Sequence, residues 1–338
     1  MRTITLFASE FNINNKLLGK RIMEQAEKHK ILEPEQFGSR KHHRSIMVAL
    51  NQRLKFDLCR QRRQALATVS VDAKFCYDRI VHNVACINLR RLGIPIEPLL
   101  CMFKTLQVAH HHIMTAFGIS ETTYRSLLEI PLQGIGQGNG AGPSIWAVIN
   151  APIIRMVKDQ GGGAIFRTAI ALTCLTYAGF SFVDDSDIIE TDENVNTPGE
   201  QLISSIQSSL DIHNGGLYSS GGALKRSKCV WRLIDWTETP YGWTLRDKED
   251  MPGHLTIVDY DSNTRVVIDR IEAEESREIL GVMISPDGTW KDQKSAISNI
   301  VNEFSTKLKS ANLSKGDVKC AIDCMLWKKL NTCYPRWA

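Results

Sequence analysis

The sequence predicts an α+β fold. Helix-period segments and short β-branched runs are mixed along the chain without the regular strand–helix alternation of a doubly wound sheet. Gly and Pro punctuate the boundaries between them. The 338 residues, 43% hydrophobic, suffice to bury a sizeable core in two domains, or in one large domain with appendages.

Residues 15–31 have a helical pattern, with Leu18, Ile22 and Ala26 on one face and Lys16, Lys20, Arg21 and Lys28 on the others. Pro34 and Gly38 break the chain afterwards. A second helix is predicted over 45–62, with Met47, Leu50, Leu54 and Leu58 at helical spacing. Its far side carries Arg53, Lys55, Arg60, Arg62 and Arg63, either as a solvated face or as a contact for a phosphate backbone. Residues 65–71 form an apolar β-branched run, read as a buried strand ending at Asp72. Helices follow over 82–91, stopped by Gly93 and Pro95, and over 96–112. On that second helix His110, His111 and His112 point in different directions, so they read as surface residues rather than a metal tract.

Gly134, Gly136, Gly138, Gly140 and Gly142 alternate through a turn that ends on Pro143. No Lys follows, and the spacing misses the dinucleotide fingerprint, so neither phosphate-binding loop fits. Alternating glycines indicate backbone lying close to another surface, such as a base pair, or a flexible loop. An apolar helix is predicted over 144–157, and Gly161 to Gly163 break the chain. The apolar stretch 168–183 is about 16 residues, short of the roughly 20 that span a bilayer. It reads as buried core delivering Asp184 and Asp185 to a site.

An acidic loop over 190–200 and a helix over 201–213 come next. After Gly221, Gly222 and Lys228, residues 229–235 are strand-like. Residues 236–271 alternate β-like runs (254–260 and 265–271) with turns, and 279–284 reads as one strand ended by Pro286, Asp287 and Gly288. Helices occupy the rest, to residue 330, and no internal repeat is present.

Charged residues at 23% and aromatics at 7% exclude disorder, collagen and coiled coil. The net charge of +4 neither requires nor excludes a nucleic-acid partner. Nine cysteines without a CxxC pair point to a reducing, intracellular compartment, nucleus or cytoplasm. Cys320, Cys324 and Cys333 have loose ligand-like spacing, but free thiols are the better reading. The N-terminus lacks a secretory apolar region.

Three acids at strand ends carry the chemistry: Asp72, Asp184 and Asp185. About one Asp-Asp pair is expected by chance in such a chain, so context decides. Adjacent acids at the end of a buried run repel and are costly to desolvate. A divalent cation removes that penalty, and Mg2+ accepts one or two carboxylates plus substrate phosphates. Solvated acids at a strand end are the alternative.

The order of these segments resembles the reverse transcriptases of retroelements, in style the non-LTR, LINE-type retrotransposons. Val69-Ser-Val-Asp72-Ala-Lys-Phe-Cys-Tyr77-Asp78 resembles their motif A. Ile135-Gly-Gln137-Gly138 with Gly142-Pro143 resembles motif B, and Phe182-Val-Asp184-Asp185 a variant of motif C with Phe where Tyr is commonest. Arg2-Thr-Ile-Thr-Leu and Glu35-Gln-Phe-Gly38-Ser-Arg40 resemble two fingers motifs, Gly221-Gly222 with Lys228 motif D, and Arg277-Glu-Ile-Leu280-Gly281-Val the primer-grip region. The resemblance runs from Arg2 to about Gly288. It implies a right-hand polymerase palm with fingers, an antiparallel palm sheet packed on helices, and an incomplete thumb. Fingers would span 1–64, the palm with part of the fingers and an insertion near 236–271 would span 65–275, and the primer-grip region with a partial thumb 276–338.

The resemblance implies an RNA-directed DNA polymerase that joins dNTPs to a DNA primer on an RNA template, with two Mg2+ ions (or Mn2+). Asp72 and Asp184 would be direct metal ligands and Asp185 an adjunct. Lys228 would protonate or neutralise pyrophosphate, or be a solvated Lys after a loop. Arg2, Arg40, Ala73, Tyr77, Gln137 and Gly138 would contact substrate, with Tyr77 the gate against a ribose 2′-OH or a buried core Tyr. Departures are Cys76, where Ala is usual in LINE-type elements, the long 236–271 insertion and a chain that begins inside the fingers. No endonuclease, RNase H or integrase signature is present. A truncated remnant that only binds nucleic acid, and a viral RNA-dependent RNA polymerase, are the competing readings; Tyr77 opposes the latter.

Overall fold

The structure is a computed structural model describing residues 4–127, 129, 131–167 and 173–333, the side chains of 331–333 excepted. Its first helix, α1 (Ser9–Lys28), begins before the predicted start because tertiary contacts hold its first turns. Asn12 donates from Nδ2 to the Gly138 carbonyl (3.1 Å) and accepts from Gly140 N (2.7 Å). Ile22 and Ala26 are buried as expected.

The next helix, α2 (Ser45–Arg62), occupies the predicted span but turns a different face inward. Val48, Ala49, Gln52, Lys55, Phe56 and Cys59 are buried, while Met47 and Leu54 are exposed. Lys55 therefore leaves the expected basic stripe. Its Nζ reaches Thr68 Oγ1 at 3.2 Å, and burial pushes its pKa down to about 8. The sheet face beneath α2 is polar at that point, so a Lys finds an acceptor there. The arginines of the stripe are also engaged internally. Arg53 donates to Gly288 O at 2.5 Å, Arg60 to Asp287 O at 2.7 Å and Arg62 to Arg167 O, while Arg63 lies over the Trp236 and Trp243 rings. This stripe ties elements together rather than standing as a purely solvated face.

The strand β1 (Leu66–Asp72) is followed by α3 (His82–Arg91) and α4 (Ile96–Val108). α4 stops before the histidines, and Ala109 is extended. His111 and His112 instead open β2 (His111–Thr115), which pairs with β3 (Gly118–Tyr124); His111 stacks on Tyr124. The buried helix α5 (Gly142–Asp159) precedes β4 (Ala164–Arg167) and β5 (Cys174–Tyr177). The apolar stretch 168–183 is not one buried strand. Residues 168–172 lie outside the described residues, β5 is largely exposed, and a break at Ala178 leads into buried β6 (Gly179–Phe182).

β7 (Asp185–Glu190), α6 (Leu202–Ser219), β8 (Val230–Ile234), β9 (Trp236–Thr239) and β10 (Gly242–Leu245) follow. The two strands predicted within 236–271 are present as β11 (Leu255–Asp259) and β12 (Thr264–Arg270). The single strand expected at 279–284 is a hairpin, β13 (Arg277–Ile279) with β14 (Val282–Ile284). It turns at Leu280 and Gly281, both with positive φ (51° and 91°). Helices α7 (Lys291–Ser310), α8 (Lys315–Ala321) and α9 (Trp327–Cys333) end the described chain.

The protein is thus mixed α+β around a six-stranded sheet of order β11-β12-β8-β1-β7-β6. Antiparallel pairing was expected throughout; β12 instead runs parallel to β8, because β11 and β12 return as a hairpin to the outer side of β8. Residues 236–271 therefore extend the main sheet rather than hanging from it. On one face Ala67, Val69 and Val71 pack with Ile206 and Leu210 of α6, and on the other Leu66 and Ile189 pack with Phe56 and Cys59 of α2. Fully burying one such aliphatic side chain contributes about 1.5–3 kcal/mol. This two-sided core fixes β1 and β7 rigidly and leaves their shared end for polar groups.

Candidate active site at the end of the central strands

Asp72 ends β1 and Asp185 opens β7, and the two are cross-strand partners. Such partners share a sheet face with Cα atoms roughly 4.5–5.5 Å apart. Asp184 occupies the two-residue turn between β6 and β7, after Val183. Val183 has φ +60°, an outlier for a β-branched residue, so neighbours must hold it. Trp146 of α5 donates from Nε1 to the Val183 carbonyl at 2.5 Å, and Ala73 N donates to the Asp184 carbonyl at 3.1 Å. Gly38 passes so close that a Cβ there would lie 2.5 Å from Val183 N. Its neighbours pair with β6: Phe37 N donates to Ser181 O (2.8 Å) and Ser181 N to Glu35 O (2.9 Å). The segment 35–38 is therefore the outer clamp of the acidic turn.

Lys228 reaches the same place from the chain after α6. Lys74 N donates to Ala223 O (2.8 Å) and Lys225 N to Asp72 O (2.9 Å), binding this segment alongside the end of β1. Lys228 Nζ then meets Asp72 Oδ2 at 2.5 Å. The hydrogen bond that its ammonium donates to the Asp72 carboxylate holds the Lys228 pKa above its usual value. Asp72 itself is buried, at 7% exposure. Asp185 keeps access to solvent, yet desolvation, then the charges of Asp184, Asp72 and Asp187, push its pKa up to about 6. One turn down the strands, Asp187 accepts from Ser70 Oγ and Gln52 Nε2. A small cleft opens there, lined by Ser70, Asp185, Asp187, Arg277 and Leu280 among others.

The remaining expected site residues fall differently. Arg2 lies outside the described residues. Arg40 is no open phosphate fork. Its Nε and Nη2 bind the Glu27 carboxylate (2.7 and 2.9 Å), and Nη1 donates to Glu33 O and Gln36 O (3.1 and 3.0 Å). Folding the clamp segment back onto α1 consumes its donors. Ala73 is buried and its amide serves Asp184, so it is not a free donor for substrate. Tyr77 lies half-buried against the core, its ring 3.7 Å from where a Cβ on Gly142 would stand. Phe75, with φ +52°, is the exposed aromatic of that loop.

The Gln137 carbonyl accepts from Thr5 N at 2.7 Å. Glycine is required nearby, as expected, but the approaching surface is the chain's own. A Cβ on Gly138 (φ +121°) would lie 2.4 Å from Thr5 O, and one on Gly136 (φ +74°) 2.8 Å from the Phe7 ring. The residues missed in the sequence are Trp146 and Asp187, while Gly38, read there as a chain break and part of a fingers motif, proves to close on the acidic turn. Only Trp146 carried a signal: an indole N–H inside an apolar helix needs an acceptor.

Among the described residues no group of three or more His, Cys, Asp or Glu could hold a metal ion. A Mg2+ site completed by water and substrate phosphates needs only one or two carboxylates. Asp72 and Asp185, hard oxygen donors on one face with Asp184 beside them, fit that lesser requirement. Cys320 and Cys324 touch, Sγ to Sγ, at 3.9 Å, and are free thiols. Among the described residues no helix is long and apolar enough to cross a membrane.

No family model and no curated protein matches this sequence. Solved structures that it resembles include apo telomerase from Candida tropicalis truncated from its C-terminal domain, at TM-score 0.43 and 12% identity over 65% of this chain and 40% of that one. Apo telomerase from Candida tropicalis gives 0.41 and 10% over 81% and 38%. Telomerase from Candida albicans, solved with a fragment of telomeric RNA, gives 0.37 and 13% over 67% and 34%. This chain spans two fifths or less of those structures. Such scores carry no weight for the site, which rests on its own geometry.

Proposed function

We propose that the chain carries the palm of an RNA-directed DNA polymerase of the non-LTR retrotransposon type, which extends a DNA primer on an RNA template from dNTPs. The observation that carries this reading is the meeting of Asp72, Asp184, Asp185 and Lys228, from three separated segments in the family order, at one end of the central sheet. Asp72 and Asp184 are the proposed metal ligands, with Asp185 as adjunct. Mg2+ bound there would activate a primer 3′-OH and offset charge on the leaving pyrophosphate. The protein's own part is positional. The two-sided core holds β1 and β7, the clamp of Gly38 and Trp146 holds the turn, and Lys228 supplies a cation beside the leaving oxygens. Tyr77 and Gln137 remain the proposed ribose gate and nucleotide contact.

Primer extension on an RNA template with Mg2+ tests this. Extension by the full chain, abolished in Asp184→Asn, is the expected result. No extension, with salt-dependent nucleic-acid binding intact, favours the second reading, a remnant that binds without catalysis.

A further inference from the structure

We infer that Lys228 is the resident counter-ion of Asp72, and that a divalent cation enters this site by displacing it. The inference rests on the two-carboxylate reading above and adds an order of events to it. Asp72 is buried, and a carboxylate with little water needs a cation nearby. The Lys228 ammonium supplies it at 2.5 Å. Asp184 and Asp185 attract the same ammonium.

A divalent ion ligated by Asp72 Oδ2 would sit about 2.0–2.1 Å from it. An ammonium at 2.5 Å fills that approach. The two cations also repel, so occupancy by one excludes the other at this oxygen. The lysine is built to yield. Its backbone is pinned, with Lys225 N on Asp72 O at 2.9 Å and Lys228 N on Lys225 O at 2.9 Å. Its side chain is half-exposed. The root is fixed and the tip is free, so Nζ can leave Oδ2 by rotamer change alone. Once displaced, it lies within a side chain's length of the metal position, where the phosphates of a bound nucleoside triphosphate offer it new acceptors. Lys228 is thus a positioning residue that opposes metal in the empty site and rewards nucleotide in the loaded one.

The test is Mn2+ binding to the full-length chain, without nucleic acid, by titration calorimetry and by electron paramagnetic resonance of free Mn2+. Lys228→Met is expected to bind Mn2+ about three- to tenfold more tightly than wild type, since an ion pair of this kind is lost from the competing state. A non-hydrolysable dNTP should tighten Mn2+ binding in wild type and do so less in the variant. Should Lys228→Met fail to fold, Lys228→Gln gives the same reading. Equal or weaker Mn2+ binding in the variants, with wild-type binding lost in Asp72→Asn, overturns the inference and leaves the metal site standing. No Asp72-dependent Mn2+ binding in wild type overturns both.

Discussion

Replacing Trp146 by Phe keeps a buried ring in α5 and removes one donor. In the native chain that donor holds the Val183 carbonyl at 2.5 Å, in an environment where Trp146 is 3% exposed. Leaving the carbonyl without it costs about 1–3 kcal/mol. The void left by the smaller ring adds roughly 1 kcal/mol. The total, about 2–4 kcal/mol, corresponds to a fall in Tm of roughly 3–6 °C by scanning fluorimetry. The position of the loss makes it informative. Val183 holds a conformation that itself costs on the order of 1–3 kcal/mol, and the turn relaxes once its tie is cut. Asp184 is the next residue, so primer extension should fall even at a temperature where both proteins are fully folded. A Tm within about 1 °C of wild type, together with unchanged extension, would refute the claim that this tie holds the acidic turn.

Gly38→Ala should lower both stability and extension, because its Cβ would meet Val183 N at 2.5 Å and force the turn outward; Gly215→Ala, whose Cβ meets nothing closer than Tyr260 Oη at 4.0 Å, is the control for adding a methyl group without a clash. Asp185→Asn should raise the Tm of the metal-free protein near neutral pH. Desolvation, then the charges of Asp184, Asp72 and Asp187, raises the Asp185 pKa to about 6 from an ordinary 3.8, so wild-type stability falls as pH rises through that window, and the variant flattens that slope. His213, buried with a pKa pushed down to about 4, stays neutral in the fold while the unfolded chain protonates near 6.5. Its contribution is present above that value and is lost on acidification by up to about 3 kcal/mol towards pH 4. Denaturant titrations from pH 7 to 4 on wild type and His213→Gln measure the difference, and parallel profiles would remove the assignment.

Local chemistry made part of this protein legible. The span of α2, the limits of α3, the end of β1 at Asp72 and the strands β11 and β12 follow from hydrophobic period and from Gly and Pro breaks. The placement of three acids and a lysine together followed from segment order. What stayed hidden depends on distant partners. The inward face of α2 is chosen by Thr68 and the sheet rather than by the count of leucines. Arg40 reads as an exposed cation until Glu27 is found one helix away. An apolar run such as 279–284 conceals a turn, because Leu280 accepts a positive φ that its side chain does not advertise. The histidines look helical until α4 ends at Val108.

The contact between residues 5–7 and the glycine turn has a consequence for how this chain tolerates change. Thr5 and Phe7 lie against Gly138 and Gly136, while Lys16 of α1 crowds Gly140. Each pair is one constraint written at two distant places. At residue 138 the approaching atom is the backbone carbonyl of Thr5, so glycine is held there whatever stands at residue 5, whereas at residue 136 the approaching atoms are side chains and can change with it. Random libraries scored for folding should therefore recover larger residues at 136 only alongside smaller ones at 7, an inheritance pattern joining the two ends of a long stretch of sequence.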